Sequence, residues 1–255
     1  TAVTSGEGRY ILDKIKGDVN LVKGPIMLLP DPRNSVIVKR VLNDKTVQLW
    51  WPGNTEALEY NRKLRESTAG STNEYIEQHS SVASRAVRDK NTVLASAGSM
   101  IDLMERKTKF TEPRSIKLDT KYEGAVLLNI WPNFAVQIVN KIGDRRVVEG
   151  PKVILLAYDE TLEVLELSTG KPKTDHTLMS TAYLQTKNNV VSDIMEVETI
   201  DLIRVNIRIS YKVNFEGDNK KWFNVSDYVK LLTQHMRSLV RNAAKKQTVE
   251  FFNEN

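Results

Sequence analysis

Tyr10-Ile-Leu-Asp-Lys-Ile-Lys-Gly-Asp-Val-Asn-Leu-Val-Lys-Gly-Pro25, continued by Ile26-Met-Leu-Leu29, reads like Val136-Gln-Ile-Val-Asn-Lys-Ile-Gly-Asp-Arg-Arg-Val-Val-Glu-Gly-Pro151, continued by Lys152-Val-Ile-Leu155. Gly17, Asp18, Gly24 and Pro25 fall on Gly143, Asp144, Gly150 and Pro151 without a gap, at an offset of 126 residues. The apolar pairs Leu21 and Val147, Val22 and Val148, Leu28 and Ile154, and Leu29 and Leu155 keep step with them. A period of this kind marks two copies of one structural unit. Gly-Asp between short apolar runs supplies the backbone conformations that reverse a hairpin. Gly-Pro then marks a corner, because proline removes a ladder donor and glycine relaxes the backbone. Each copy therefore reads as three or four short antiparallel strands.

After the second copy the pattern becomes a long strand. Ile203, Val205, Ile207, Ile209, Tyr211, Val213 and Phe215 alternate with Arg204, Asn206, Arg208, Ser210, Lys212, Asn214 and Glu216, so one face is buried and the other wet. Leu178 to Lys187 and Val190 to Thr199, separated by Asn188-Asn189, read as a hairpin beside it. The period then changes to about 3.6 residues. Val225, Tyr228, Val229, Leu232, Met236, Leu239, Val240 and Ala243 share one helical stripe, with Asn224 and Asp227 giving an N-cap signature. The expected fold class is α+β: a small antiparallel β-repeat domain over 1–61, a polar and partly disordered linker over 62–118, and a domain of antiparallel sheet with a packed helix over 119–255. Within the linker, the residues from Asn73 to Val87 suggest a helix.

The chain has 255 residues, 40% of them hydrophobic and 27% charged, enough for one large or two small cores. The charge of +5 comes without the long Lys/Arg runs of nucleic-acid-binding arms. There is no cysteine, which excludes disulfide scaffolds, thiolate zinc sites, iron–sulfur clusters and cysteine nucleophiles and permits a reducing compartment. Thr1 begins a stretch with neither a basic n-region nor an apolar h-region, and no apolar run approaches the ~20 residues of a membrane-spanning helix.

Catalytic chemistry finds little support. His79, His176 and His235 stand apart, with no second ligand at metal spacing. No Gly-x-x-x-x-Gly-Lys-Ser/Thr loop and no Gly-x-Ser-x-Gly elbow is present. Carboxylates cluster at Asp159, Glu160, Glu163 and Glu166 and again at Glu196, Glu198 and Asp201, without the loop spacing of a calcium site, and on strands they read as a solvated face. Arg237, Arg241 and Lys245 form a basic stripe at i, i+4 and i+8 on the last helix. No residue is assigned a catalytic, cofactor-binding or metal-binding role, and no cofactor is expected.

The second half carries a resemblance. Pro132-Asn-Phe-Ala-Val-Gln-Ile-Val139, Val147-Val-Glu-Gly-Pro151, Glu163-Val-Leu-Glu-Leu-Ser-Thr-Gly-Lys-Pro-Lys173 with His176, Val191-Ser-Asp-Ile-Met-Glu-Val-Glu-Thr199, and Val213-Asn-Phe-Glu216 before Val225-Ser-Asp-Tyr-Val229 resemble the major vault protein family. The match lies in the shoulder region, which is related to the stomatin/prohibitin/flotillin (band 7) domain, and it holds from about Asn129 to Asn255. The first half, through Pro25, Leu29, Trp51-Pro52-Gly53 and Glu56-Ala-Leu58, is similar to the last β-repeat before that shoulder. The resemblance implies a shoulder domain still incomplete at residue 255. It further implies a non-enzymatic, cytoplasmic structural protein whose identical chains stand side by side as staves of a hollow ribonucleoprotein shell, with protein or RNA as enclosed cargo. A band 7 membrane-associated scaffold or protease regulator is the alternative, and it needs a hydrophobic hairpin or acylated segment that this sequence lacks. The wet strand face Arg204, Arg208 and Lys212, the acids Glu196 and Glu198, and the helix residues Arg237 and Arg241 are the expected inter-chain contacts.

Overall fold

Gly17 and Gly143 both adopt positive φ, +76° and +102°, at the tips of matching hairpins. The computed structural model describes residues 1–69, 124–174 and 176–254. These fall into two compact units, residues 1–69 with 124–163, and residues 164–254. The helix expected near Asn73 to Val87, and His79 with it, lie outside the described residues.

In the first unit each copy consists of five short strands. The first copy is β1 (Ala2–Val3), β2 (Gly8–Asp13), β3 (Val19–Lys23), β4 (Ile26–Met27) and β5 (Ser35–Val38). The second is β6 (Leu127–Ile130), β7 (Phe134–Val139), β8 (Arg145–Glu149), β9 (Lys152–Leu155) and β10 (Thr161–Leu162). The pairings repeat, all antiparallel: β1 with β4 and β6 with β9, β2 with β3 and β7 with β8, β2 with β5 and β7 with β10. Glycine before proline is required by close approach: a Cβ on Gly24 would lie 2.0 Å from the Thr4 carbonyl oxygen, and one on Gly150 1.9 Å from that of Trp131.

The register corrects the ungapped alignment. Tyr10 pairs with Leu21, whereas Gln137, not Val136, pairs with Val147. Six residues connect Leu12 to Val19 in the first hairpin and five connect Val139 to Arg145 in the second. The strands before the turn thus correspond at an offset of 127, and those after it at 126. Each turn is held by an Asx side chain at the corresponding position: Asp13 Oδ1 accepts from the Ile15 and Lys16 amides at 2.9 and 3.2 Å, and Asn140 Oδ1 from the Gly143 and Asp144 amides at 2.8 Å.

The copies meet at Tyr10, a fully buried side chain. Its hydroxyl donates to the Leu156 carbonyl at 2.9 Å and accepts from the Val126 amide at 3.0 Å, while the Ala125 amide donates to the Gly8 carbonyl. Two helices that the mainly β reading of residues 1–61 does not contain also belong here, α1 (Asp44–Trp50) and α2 (Thr55–Ala69). Asn43 caps α1 by accepting from the Thr46 amide, and Asn54 Oδ1 accepts from the Ala57 amide at the start of α2. α1 buries Val47 and Trp50, Trp51 Nε1 donates to the Leu127 carbonyl, and the Arg40 guanidinium lies 5.2 Å from the centre of the Trp50 ring. α2 runs on through 62–69, where composition alone starts the polar linker.

The second unit holds β11 (Leu165–Ser168), β12 (Leu178–Thr181), β13 (Leu184–Gln185), β14 (Asn189–Glu198), β15 (Arg204–Val213), a 3₁₀ turn at Asn219–Lys221, α3 (Tyr228–Ala244) and α4 (Val249–Glu254). The expected hairpin through Asn188-Asn189 does not form. Leu178–Thr181 pairs back with β11, and β14 pairs with β15 through ten residues. The α3 cap is Asp227, not Asn224: its Oδ1 accepts from the Lys230 amide, and its Oδ2 accepts from the Ser168 amide and hydroxyl. Small antiparallel sheets with a few helices make the fold α+β.

Candidate functional site

Strict alternation makes β14 and β15 a two-faced ribbon. Inward, Met195 and Val197 of β14 form a core with Ala244, against which Val205, Ile207, Ile209, Val240 and Phe252 pack. Helix α3 thereby covers one face of the ribbon. Outward, β14 presents Val190, Ser192, Ile194, Glu196 and Glu198, and β15 presents Arg204, Asn206, Arg208, Ser210 and Lys212. Sequence alternation assigns every side chain of β15 to its correct face.

The wet face is segregated by strand: its acids all lie on β14 and its bases all lie on β15. The register sets Glu198 opposite Arg204, Ile194 opposite Arg208 and Val190 opposite Lys212. Arg204 also reaches diagonally to Glu196, Nη1 to Oε1 at 3.6 Å, both side chains being more than half exposed. Arg208 and Lys212 have no carboxylate partner among the described residues. Asp201, at the ribbon's tip, turns to its own chain, accepting from the Thr199 hydroxyl and from the Val249 amide at 3.2 Å.

The basic stripe of α3 divides. Arg241 and Lys245 are exposed. Arg237 turns inward: its Nε donates to Asp193 Oδ2 at 2.7 Å, and its Nη2 to Asp193 Oδ1 and the Lys173 carbonyl, both at 3.0 Å. The Lys173 amide completes the arrangement by donating to Asp193 Oδ1 at 2.9 Å. The Asp193 side chain is fully buried. Burial alone would raise its carboxyl, but the Arg237 guanidinium and the Lys173 and Ile194 amides hold it below its ordinary 3.8. Burial lowers the Lys173 ammonium against the raising influence of the Asp193 charge. The sequence carries a signal for this pair, since Asp193 sits in the buried phase of Val191, Met195 and Val197, where a carboxylate demands a partner.

Two of the acids in the earlier cluster are spent in local structure. Arg146 grips Glu160 through both carboxylate oxygens, at 2.8 and 3.0 Å from Nη2, and Arg145 lies 3.8 Å from Glu163. Among the described residues no group of three His, Asp or Glu side chains comes together to hold a metal, and no helix is long and apolar enough to cross a membrane.

A family model described as the major vault protein repeat domain matches residues 125–184, and one described as a shoulder domain matches residues 187–255. The repeat match falls on the second copy of the duplication, which the sequence reading grouped with the shoulder. The major vault protein of Leishmania infantum is 32% identical over 168 residues, covering 64% of this chain and 19% of that protein. The major vault protein of Gallus gallus is 34% identical over 137 residues, covering 51% and 16%. That of Homo sapiens is 31% identical over 131 residues, covering 48% and 15%. The chain thus spans less than a fifth of the length of these relatives. With a vault repeat followed directly by a shoulder domain, the chain belongs to the major vault protein family.

Proposed function

We propose that the chain is a non-enzymatic structural component of a vault-type particle, and that identical copies stand side by side to form a hollow shell or ring. The observation that carries this reading is the order of its parts, a wall-type repeat leading into a shoulder. The stacking of two β-copies through Tyr10 supports it, because units joined end to end build a stave and leave its flanks for neighbours. On this reading residues 1–61 are a wall-type repeat, 62–118 the connection, and 119–255 lead through the second repeat into the shoulder. The partners are copies of itself, the cargo is enclosed protein or RNA, and the particle is cytoplasmic.

Negative-stain electron microscopy with light-scattering mass on the intact protein tests this. The expected result is rings or barrels of megadalton mass. A uniform monomer at micromolar concentration sinks the proposal, and flotation of such a monomer with liposomes puts the band 7 membrane scaffold in its place.

A further inference from the structure

We propose that neighbouring copies join through the β14–β15 ribbon, the basic row Arg204, Arg208 and Lys212 of one copy lying beside the acidic row Glu196 and Glu198 of the next. This rests on side-by-side assembly and names the surface that performs it.

The argument is one of charge complementarity. On the wet face every charged side chain of β15 is basic and every charged side chain of β14 is acidic. Among the described residues β14 and β15 pair only with each other, so both outer flanks are open. Within the chain the acids gather near the tip, where Arg204 meets them, and Arg208 and Lys212 are left opposite Ile194 and Val190. The segregation therefore leaves cationic charge unanswered within the ribbon. A copy displaced along the strands by about four residues brings Arg208 level with Glu198 of its neighbour and Lys212 within diagonal reach of Glu196. Such a contact is heterologous, the basic flank of each copy meeting the acidic flank of the next, and it forms a ring where the rotation between copies closes and a filament where it does not. Like-charged flanks repel, which excludes the face-reversed arrangement. Arg237, committed to Asp193 inside the chain, takes no part.

Charge exchange in the intact protein tests the pairing, with sedimentation velocity and electron microscopy as readouts. Reversing the basic flank (Arg208→Glu with Lys212→Glu) or the acidic flank (Glu196→Lys with Glu198→Lys) is expected to raise the concentration needed for assembly at least tenfold. Combining both reversals in one chain restores it, because each flank again meets its opposite. Far-UV circular dichroism checks that each variant folds, and Arg208→Gln with Lys212→Gln replaces a reversal that does not. Single reversals that assemble like the wild type overturn the ribbon contact and leave the shell standing. So does a folded combined variant that fails to assemble. Absence of particles from the wild-type protein overturns both.

Discussion

Asp193 shows how one buried carboxylate organises a neighbourhood. It ties strand β14 to helix α3 through Arg237 and to the Gly170–Lys173 loop through the Lys173 amide. Removing one member of a buried, hydrogen-bonded pair leaves the other charge uncompensated, which typically costs about 3–5 kcal/mol. Arg237→Met is therefore expected to destabilise the fold by about that much in urea unfolding at pH 7. Asp193→Asn should cost less, because Arg237 is partly solvated and can turn toward water. The pH dependence has a definite sign. The folded carboxyl lies below its ordinary 3.8, so its contribution is present above that value and is lost as pH falls through the folded one. The stability gap between wild type and Asp193→Asn should be constant from pH 7 to about 5 and shrink below 3.8, and a gap that widens in acid contradicts the assignment.

At the level of elements, the joint between the two β-copies centres on one phenol, beside the backbone bond from Ala125 to Gly8. Burial pushes the Tyr10 hydroxyl above its ordinary 10, so it remains a donor across the working range of pH. Tyr10→Phe keeps the ring, including its edge-to-face contact with Tyr158 at 5.3 Å, and strands the Leu156 carbonyl and Val126 amide. We expect a loss of about 1–3 kcal/mol, read as a lower urea midpoint with unchanged slope. An unchanged midpoint would show that the joint holds without the hydroxyl. Neither the joint nor the one-residue difference between the turns was legible in the sequence, since an ungapped alignment follows Gly-Asp and Gly-Pro and is blind to strand register. The two hairpins, β15 and most of α3 were legible, because turn glycines, alternation and the 3.6-residue period are local signals. α1 and α2 were missed although Asn43 and Asn54 stand where N-caps belong, because the duplication led the whole of residues 1–61 to be read as a β-repeat. The inward turn of Arg237 was not legible, because its partner lies 44 residues away.

For the whole molecule, the proposed lateral contact is built from exposed pairs, each contributing under about 1 kcal/mol. A particle held that way depends on many repeats of a weak contact and on modest ionic strength. Raising salt from about 0.1 to 1 M shortens the screening length from about 10 to 3 Å. The protein concentration at which particles half-dissociate should rise accordingly, as followed by light scattering. Particles indifferent to salt would instead be held by apolar surface, for which Ile15 and Ile142 at the two hairpin tips, 76% and 85% exposed, are the places to look.

Tyr10 and the carbonyl it binds are 146 residues apart. At synthesis rates of about 5–20 residues per second, Tyr10 leaves the ribosome about 7–29 s before Leu156 follows. Throughout that interval its phenol has no acceptor from its own chain. The second copy of any chain being made nearby offers the same carbonyl and the same amide, so this joint is where nascent neighbours would exchange halves. Spacing between ribosomes on one message then bears on how many chains leave it correctly closed.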